Sequence, residues 1–154
     1  MVYDGVDHKG ADESLPYAKL ARDEYAKSKA MGEKAVLDFN GTNGMQTAAI
    51  RPHAIYGPGD VQFLPSLVEN AKKGKTKYII GDGKNVTDWT YVGNVAHGHL
   101  LAASKMGDDT IAGGQAYFIT DSEPIPFWDF MGVFLEKLGY PKPYLNLPFG
   151  LCMT

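Results

Sequence analysis

The chain has 154 residues, a formal net charge of −3 at pH 7 and a hydrophobic content of 44%, which together fit one globular domain. The mildly acidic balance, without a block of basic residues, argues against a nucleic-acid-binding protein. The single cysteine, Cys152, excludes an internal disulfide framework and fits a reducing compartment.

Residues 1–15 predict the end of a strand followed by a polar loop. Val2 and Tyr3 suit the strand, and the pair Asp4-Gly5 is typical of a turn. Pro16 is a residue type that often opens a helix. We therefore expect a helix from about residue 17 to residue 40, closed by the glycine- and asparagine-rich run 40–44.

This helix carries the first pattern with chemical meaning, Tyr25-Ala-Lys-Ser-Lys29. Tyr25 and Lys29 are four residues apart, so they lie on one face of the helix, one turn from each other. An ammonium beside a phenol favours the phenolate form, which can take a proton from an alcohol. The spacing alone equally allows an exposed tyrosine packed along a lysine stem, because so short a pattern often occurs by chance.

A short apolar segment, residues 47–51, follows the helix and runs into Pro52 and then Tyr56-Gly57-Pro58-Gly59. A short strand that ends in turn residues just after a long helix predicts an αβ step of a parallel sheet. Ligands of such sheets bind at the carboxyl ends of the strands. Arg51, at the end of this strand, is expected to have a structural role in which it anchors a turn or binds a carboxylate.

The rest of the chain predicts further alternation of helices and strands. We expect an amphipathic helix over 60–75, then strand, tight turn and strand over 78–92, where Gly81-Asp82-Gly83 forms the turn. A helix from Gly93 to about Lys105, a loop at Asp108-Asp109, a strand over 115–120 and a helix over 126–138 follow. The phenylalanines of the last helix recur at helical spacing and are expected to lie in the core. His97 and His99 lack the carboxylate partners of a helical zinc site, so we expect no metal.

Two stretches together resemble a known superfamily. Tyr25-x-x-x-Lys29 followed by Arg51-Pro-His-Ala-Ile-Tyr-Gly-Pro58 resembles the extended short-chain dehydrogenase/reductases. Asp88-Trp-Thr-Tyr-Val-Gly-Asn-Val-Ala96, with His97–Ala103 after it, resembles their 3-beta-hydroxysteroid dehydrogenase/isomerase family. The resemblance implies an α/β fold: the C-terminal part of a Rossmann-like doubly wound parallel sheet plus a small mixed α/β substrate-binding lobe. Residues 1–60 would complete the sheet, and residues 61–154 would form mostly the lobe and closing elements.

The resemblance also implies an activity, the NAD- or NADP-dependent oxidation of the 3β-hydroxyl of a steroid or sterol. Tyr25 would act as general base, and Lys29 would hold the nicotinamide ribose. The backbone from Pro52 to Ile55 would bind the nicotinamide carboxamide.

Three further side chains are weaker candidates for the substrate site, namely His53, Trp89 and Tyr91. As single residues, a histidine or an aromatic side chain more often packs in the protein than binds a ligand.

One part of the family pattern has no match in the chain. Family members begin with a strand and a Gly-x-x-Gly-x-x-Gly turn that holds the cofactor pyrophosphate. Neither Ser14 nor Ser28 lies where the family has its catalytic serine, whereas residues 2–5 resemble the segment that follows that serine. We therefore expect the chain to be the C-terminal part of a longer enzyme that does not bind NAD tightly by itself.

Two alternatives stay open. One is a sugar-nucleotide epimerase or dehydratase of the same superfamily, which Asp88-Trp89 disfavours because that branch often has a basic residue there. The other is a non-catalytic fragment or a partner-binding protein.

The resemblance implies a location in the cytoplasm or at the cytoplasmic face of the endoplasmic reticulum, and a possible homodimer through the helix of Tyr25. Membrane association is expected only through a segment following residue 154, because the apolar end over 145–153 is too short to span a bilayer.

Overall fold

The structure, a computed structural model, describes residues 8–18, 23–107 and 112–151. Helices and strands alternate along these residues, which confirms the predicted α/β class. The helices are α1 (Glu24–Asp38), α2 (Phe63–Lys72), α3 (Val92–Ser104) and α4 (Phe127–Lys137). The strands are β1 (Ala49–Pro52), β2 (Ile55–Tyr56), β3 (Tyr78–Ile80), β4 (Val86–Thr87), β5 (Thr90–Tyr91), β6 (Ala116–Ile119), β7 (Ile125–Pro126) and β8 (Leu145–Leu147). Short 3₁₀ turns cover Thr42–Gly44 and Phe149–Leu151.

The chain divides into two compact units, each built from two segments. The first comprises the described residues up to Pro52 together with those of Val95–Ile119, and the second comprises His53–Asn94 and the described residues from Thr120 onward. The division at residue 60 stays a prediction. The predicted strand at Val2-Tyr3, the loop at Asp108-Asp109 and Cys152 all lie outside the described residues.

In the first unit, β1 and β6 pair in parallel, from Ala49 opposite Ala116 to Pro52 opposite Ile119. Helix α1 packs against β1. A Cβ atom at Gly98 of α3 would lie 2.8 Å from the Cδ1 atom of Ile119, so this helix approaches β6 at a residue without a side chain. The predicted αβ step and its parallel sheet are confirmed.

Helix α1 begins later than the sequence predicts. Asp23 has an extended backbone, and its Oδ1 atom accepts a hydrogen bond of 2.6 Å from the backbone N–H of Ala26, as a helix N-cap does. Tyr17 and Ala18 are not helical, so the expectation that Pro16 opens the helix was wrong. The predicted close of the helix is confirmed by the left-handed φ angles of Gly41 (83°) and Asn43 (54°).

The short strands of the second unit pair with partners that are distant in sequence. β2 pairs with β5 and β3 with β8 in parallel, whereas β4 and β7 are antiparallel. The turn at Gly81-Asp82-Gly83 is confirmed, with φ angles of 77° and 76° at its two glycines. The strands on its two sides do not pair with each other. β8 occupies the start of the apolar end, and among the described residues no helix combines the length and apolarity that crossing a bilayer requires.

The core of the second unit is built from α2, α4 and aromatic side chains. Leu67, Ala71 and Leu135 are buried together, and Leu135 has no exposed surface. Helix α2 begins where it does because the carboxylate of Asp60 accepts hydrogen bonds from three successive backbone N–H groups. The core role predicted for the phenylalanines of α4 is confirmed by Phe130, which is 8% exposed.

Candidate functional site

The structure brings the two predicted catalytic residues together. Tyr25 and Lys29 lie one turn apart on α1, and the Lys29 Nζ atom is 5.6 Å from the centroid of the Tyr25 ring, a cation–π contact. Tyr25 is 63% exposed, and Lys29 is exposed as well. Within the part of the chain that the structure describes, Lys29 forms no ion pair. Both polar groups are therefore open to a ligand.

Contacts between α1 and β1 fix where this pair lies. Thr47, just before β1, donates its hydroxyl to the carbonyl oxygen of Val36 near the end of α1, at 2.7 Å. Arg51, near the end of β1, binds Glu33 in the middle of α1. Helix and strand therefore run in opposite directions. Lys29 and Tyr25 lie one and two turns before Glu33, about 6 and 12 Å along the helix axis. The pair is therefore beyond the carboxyl end of β1, where ligands of parallel sheets bind.

Glu33 and Arg51 form a largely buried ion pair. The Nη2 and Nε atoms of Arg51 donate to Glu33 at 2.6 and 3.1 Å, and the two side chains are 12% and 13% exposed. Burial raises the pKa of Glu33, but hydrogen bonds from Arg51 and Tyr17, together with the charge of Arg51, leave that pKa below its usual value. The structural role predicted for Arg51 is confirmed. Glu33 was missed, although it continues the four-residue spacing of Tyr25 and Lys29.

The segment predicted to bind the nicotinamide contains an unusual backbone. Pro52 is the last residue of β1, and Ile55 opens β2 opposite Thr90 with 46% of its surface exposed. Ala54 has a φ angle of 45°, which is uncommon for a residue other than glycine. Alanine gives no sequence signal for this conformation, so it was not predicted. The roles of Pro52 and Ile55 in cofactor binding stay predictions.

Hydrogen bonds within the second unit hold His53 in place. Its Nδ1 atom lies 2.7 Å from the carbonyl oxygen of Asp88, and since a carbonyl only accepts, Nδ1 carries the proton. Its backbone N–H donates to the hydroxyl of Thr90 at 3.2 Å, and its carbonyl oxygen accepts from that hydroxyl at 2.7 Å. The ring of His53 therefore has a fixed orientation.

The two aromatic candidates have different surroundings. Trp89 is 5% exposed, and its ring stacks on that of Phe130 with centroids 3.7 Å apart, so it packs in the core. Tyr91 is 40% exposed and lies 5.7 Å from the ring of Tyr56. Of the two, Tyr91 remains the candidate for a ligand contact.

Asp121, which the sequence did not single out, organises the surroundings of Tyr91. Its Oδ1 atom accepts from the backbone N–H of Tyr91 at 2.9 Å and from the side-chain amide of Asn94 at 2.7 Å, and its Oδ2 atom accepts from the Tyr56 hydroxyl at 2.9 Å. Burial raises the pKa of Asp121, but these three hydrogen bonds leave it below its usual value. Burial and the neighbouring Asp121 carboxylate raise the pKa of Tyr56.

The sequence also matches known proteins along nearly its whole length. A sequence profile of the 3-beta hydroxysteroid dehydrogenase/isomerase family matches residues 2–149. The chain belongs to this family. A relative from Bos taurus, "Sterol-4-alpha-carboxylate 3-dehydrogenase, decarboxylating", is 47% identical over 152 residues, which are 98% of this chain and 43% of that protein. "3beta-hydroxysteroid-dehydrogenase/decarboxylase isoform 1" of Arabidopsis thaliana is 50% identical over 158 residues, which cover 99% of this chain and 36% of that protein.

This member of the family also resembles solved structures. The dTDP-glucose 4,6-dehydratase DesIV of Streptomyces venezuelae, solved with NAD bound, is 25% identical with a TM-score of 0.71, over 96% of this chain and 44% of that protein. The predicted family and Rossmann-like fold class are therefore confirmed. The chain spans less than half the length of each of these three proteins. Among the described residues, no group of three or more His, Cys, Asp or Glu side chains is placed to hold a metal ion.

Gly57 packs so closely beneath Tyr91 that we expect it to tolerate no side chain. A Cβ atom there would lie 2.7 Å from Val92 Cγ1 and 3.0 Å from the Tyr91 ring, and its φ angle is 133°. Gly57→Ala should lower the free energy of unfolding by about 2 kcal/mol or more. Gly59→Ala, at a φ angle of 85° in open space, should cost only about 1 kcal/mol of backbone strain. Urea unfolding measures both, and equal losses would contradict the packing.

The hydrogen bonds of Asp121 predict a pH dependence of stability. Because folding lowers its pKa, its contribution is present above the unfolded value, about 3.9, and is lost as the pH falls through the folded value. The difference in unfolding free energy between the native chain and Asp121→Asn should be constant from pH 7 to about pH 5 and shrink below about pH 4. Asp82→Asn, in an exposed turn, controls for net charge. Urea unfolding across this pH range would contradict the account if the difference grew on acidification.

Proposed function

We propose that the chain carries the catalytic tyrosine and lysine of a sterol-4-alpha-carboxylate 3-dehydrogenase, decarboxylating, which oxidises the 3β-hydroxyl of a sterol with NAD or NADP. The observation that carries this proposal is the exposed pair of Tyr25 and Lys29 beyond the carboxyl end of β1. The names of relatives that are 47 and 50% identical support the sterol substrate. Because the chain spans 43% of the cattle protein, the proposal concerns the activity of the whole enzyme.

Tyr25 acts as general base in this proposal. As the phenolate, it takes the proton of the sterol 3-hydroxyl. Lys29, one turn away, offers its N–H donors to the hydroxyls of a nicotinamide ribose. The Tyr25 hydroxyl and the Lys29 ammonium are exposed on one face of α1, an arrangement that can bind the two hydroxyls of a ribose. NAD or NADP, when bound, would supply the acceptor for the hydride of carbon 3. The new carbonyl lies β to the 4-carboxylate, so the carboxylate can leave as carbon dioxide, its bond electrons pass into the enolate of the 3-ketone, and carbon 4 then takes a proton from solvent.

Candidates for the remaining contacts lie outside α1. We assign the backbone from Pro52 to Ile55 to the nicotinamide carboxamide, supported by the exposure of Ile55. His53 and Tyr91 are the proposed contacts to the sterol, since the first has a fixed ring and the second is partly exposed. Trp89 acts through core packing.

The sugar-nucleotide alternative has weaker support. The dTDP-glucose dehydratase resembles this chain in fold at 25% identity, roughly half the identity of the sterol enzymes.

We also propose a homodimer that forms through α1, located in the cytoplasm or at the cytoplasmic face of the endoplasmic reticulum. The support for the dimer is the exposed apolar surface of α1 and the turn after it, where Met31, Val36 and Phe39 are 63, 43 and 45% exposed. Light scattering should give twice the mass of the chain, and a monomer would contradict the proposed dimer.

Cell fractionation should recover the protein with cytosol or microsomes. A protein confined to another organelle would contradict the proposed location.

The catalytic assignment is tested in a hybrid enzyme, in which this chain replaces the matching segment of the cattle relative. Tyr25→Phe removes one hydroxyl, so kcat should fall by about 100-fold or more while the Kd for NAD or NADP stays within about twofold. Turnover of a sterol 4-carboxylate is measured as the formation of reduced cofactor, and turnover of a UDP-sugar, which leaves no net reduced cofactor, is measured by analysis of the sugar product.

Tyr144→Phe is the matched control, because Tyr144 is equally exposed, at 62%, and lies on no proposed site. Its kcat should match that of the unmodified hybrid. Full turnover by Tyr25→Phe, or turnover of the UDP-sugar alone, would overturn the proposal.

A further inference from the structure

We propose that Glu33 is a positioning residue, which acts with Arg51 and Tyr17 to fix α1 against the end of β1. It thereby sets the place of the Tyr25–Lys29 pair. The inference rests on the proposed function, because it assigns Glu33 a role in the same reaction. We call the cluster of Glu33, Arg51 and Tyr17 the helix anchor.

The helix anchor is built around one guanidinium group. Arg51 donates from Nη2 and Nε to Glu33, and the Tyr17 hydroxyl donates to the same carboxylate at 2.7 Å. The Arg51 Cζ atom lies 5.8 Å from the ring centroid of Tyr17 and 5.5 Å from that of Phe118. The carboxylate and the guanidinium are therefore satisfied by partners within the protein and have little contact with water.

The loop over 8–18 is tied to the same point. The Nη1 atom of Arg51 donates to the carbonyl oxygen of Glu13 at 3.4 Å, and the Glu13 carboxylate accepts from the backbone N–H of Phe118 at 2.8 Å. Strand β1, helix α1 and this loop thus meet at Arg51. Loss of the ion pair would release the helix and the loop together.

Burial makes this pair different from an exposed ion pair on α1. Removing one partner of a buried, two-donor pair leaves an uncompensated charge in the protein, so the helix must shift to let water reach it. The pair of Lys27 and Glu24 has side chains that are 58% and 91% exposed, so its loss changes little. The same helix therefore contains one glutamate that anchors it and one that serves as a control.

The anchor acts on the reaction through the helix itself. Lys29 and Tyr25 precede Glu33 by four and eight residues, and each step of four residues turns by about 40° around the helix axis. A rotation or a slide of α1 at Glu33 is therefore transmitted to both catalytic side chains. Displacement of a catalytic group by about 1 Å can lower the rate by about 100-fold.

The kinetic test compares Glu33→Gln with Glu24→Gln in the hybrid enzyme. Glu33→Gln should lower kcat by about 10- to 100-fold and raise the KM for NAD or NADP, at a temperature where circular dichroism shows the variant folded. Arg51→Lys keeps the charge but not the two-donor geometry, and should show a smaller change in the same direction. Glu24→Gln should match the unmodified hybrid. A fall in apparent kcat without a change in KM would indicate only a smaller folded fraction and would overturn the positioning role.

The second arm uses the chain itself and does not depend on catalysis. Amide hydrogen exchange over residues 24–29 should be about tenfold faster or more in Glu33→Gln than in Glu24→Gln, because the anchor no longer holds this end of the helix. An inactive hybrid with this faster exchange would reject the proposed function and leave the anchor standing. Equal exchange in the two variants would overturn the anchor, whether or not the hybrid is active.

Discussion

A guanidinium group is buried at low cost only if its N–H donors form hydrogen bonds within the protein. Arg51 lies on β1, and the acceptor of its hydrogen bonds lies on another element, α1. The carboxylate of Glu33 binds it from α1, with 12 and 13% of the two side chains left exposed. That requirement fixes the height and the rotation of α1 against β1. Because the two elements run in opposite directions, the start of α1 extends past the strand and places Tyr25 and Lys29 beyond the carboxyl end of β1. The chemistry proposed for the family member therefore depends on an ion pair that takes no part in it.

In the second unit, a carboxylate, that of Asp121, holds the secondary-structure elements together. Its strands are only two or three residues long, and Asp121 links β2, β5 and the start of α3 by hydrogen bonds to Tyr56, Tyr91 and Asn94. Beneath them, the stacked rings of Trp89 and Phe130 fill the core. Tyr91 is thus held from one side by a carboxylate and from another by the bare backbone of Gly57. The ring of Tyr91 is partly exposed and held in place, which suits a contact with an apolar ligand.

Features with a local cause were predictable from the sequence. The spacing of Tyr25 and Lys29, the parallel strand that ends at Pro52 and the phenylalanines of α4 follow from helical and strand periodicity, and the structure confirms each. The predicted start of α1 was wrong because the side chain of Asp23, and not Pro16, caps the first turn of the helix. Glu33 and Asp121 were missed for another reason. Their partners lie 18 and up to 65 residues away in the chain, and no local pattern records such a pairing.

The strand pairing of the second unit could not be predicted for the same reason. A turn at Gly81-Asp82-Gly83 is a local event, but the partners of the strands beside it are chosen by the packing of the whole unit. β3 pairs with β8, which lies more than sixty residues further along the chain. The apolar character of residues 145–147 is therefore that of a strand, which the sequence alone left without an assignment.

The coupling free energy between Glu33 and Arg51 tests the account most directly. A double-mutant cycle of Glu33→Gln and Arg51→Met, followed by urea unfolding of the chain, isolates the interaction of the two side chains. We predict a coupling of about 2 kcal/mol or more, as for a buried charge pair. A value near zero, like that of an exposed pair, would mean that the helix does not depend on this contact and would contradict the account.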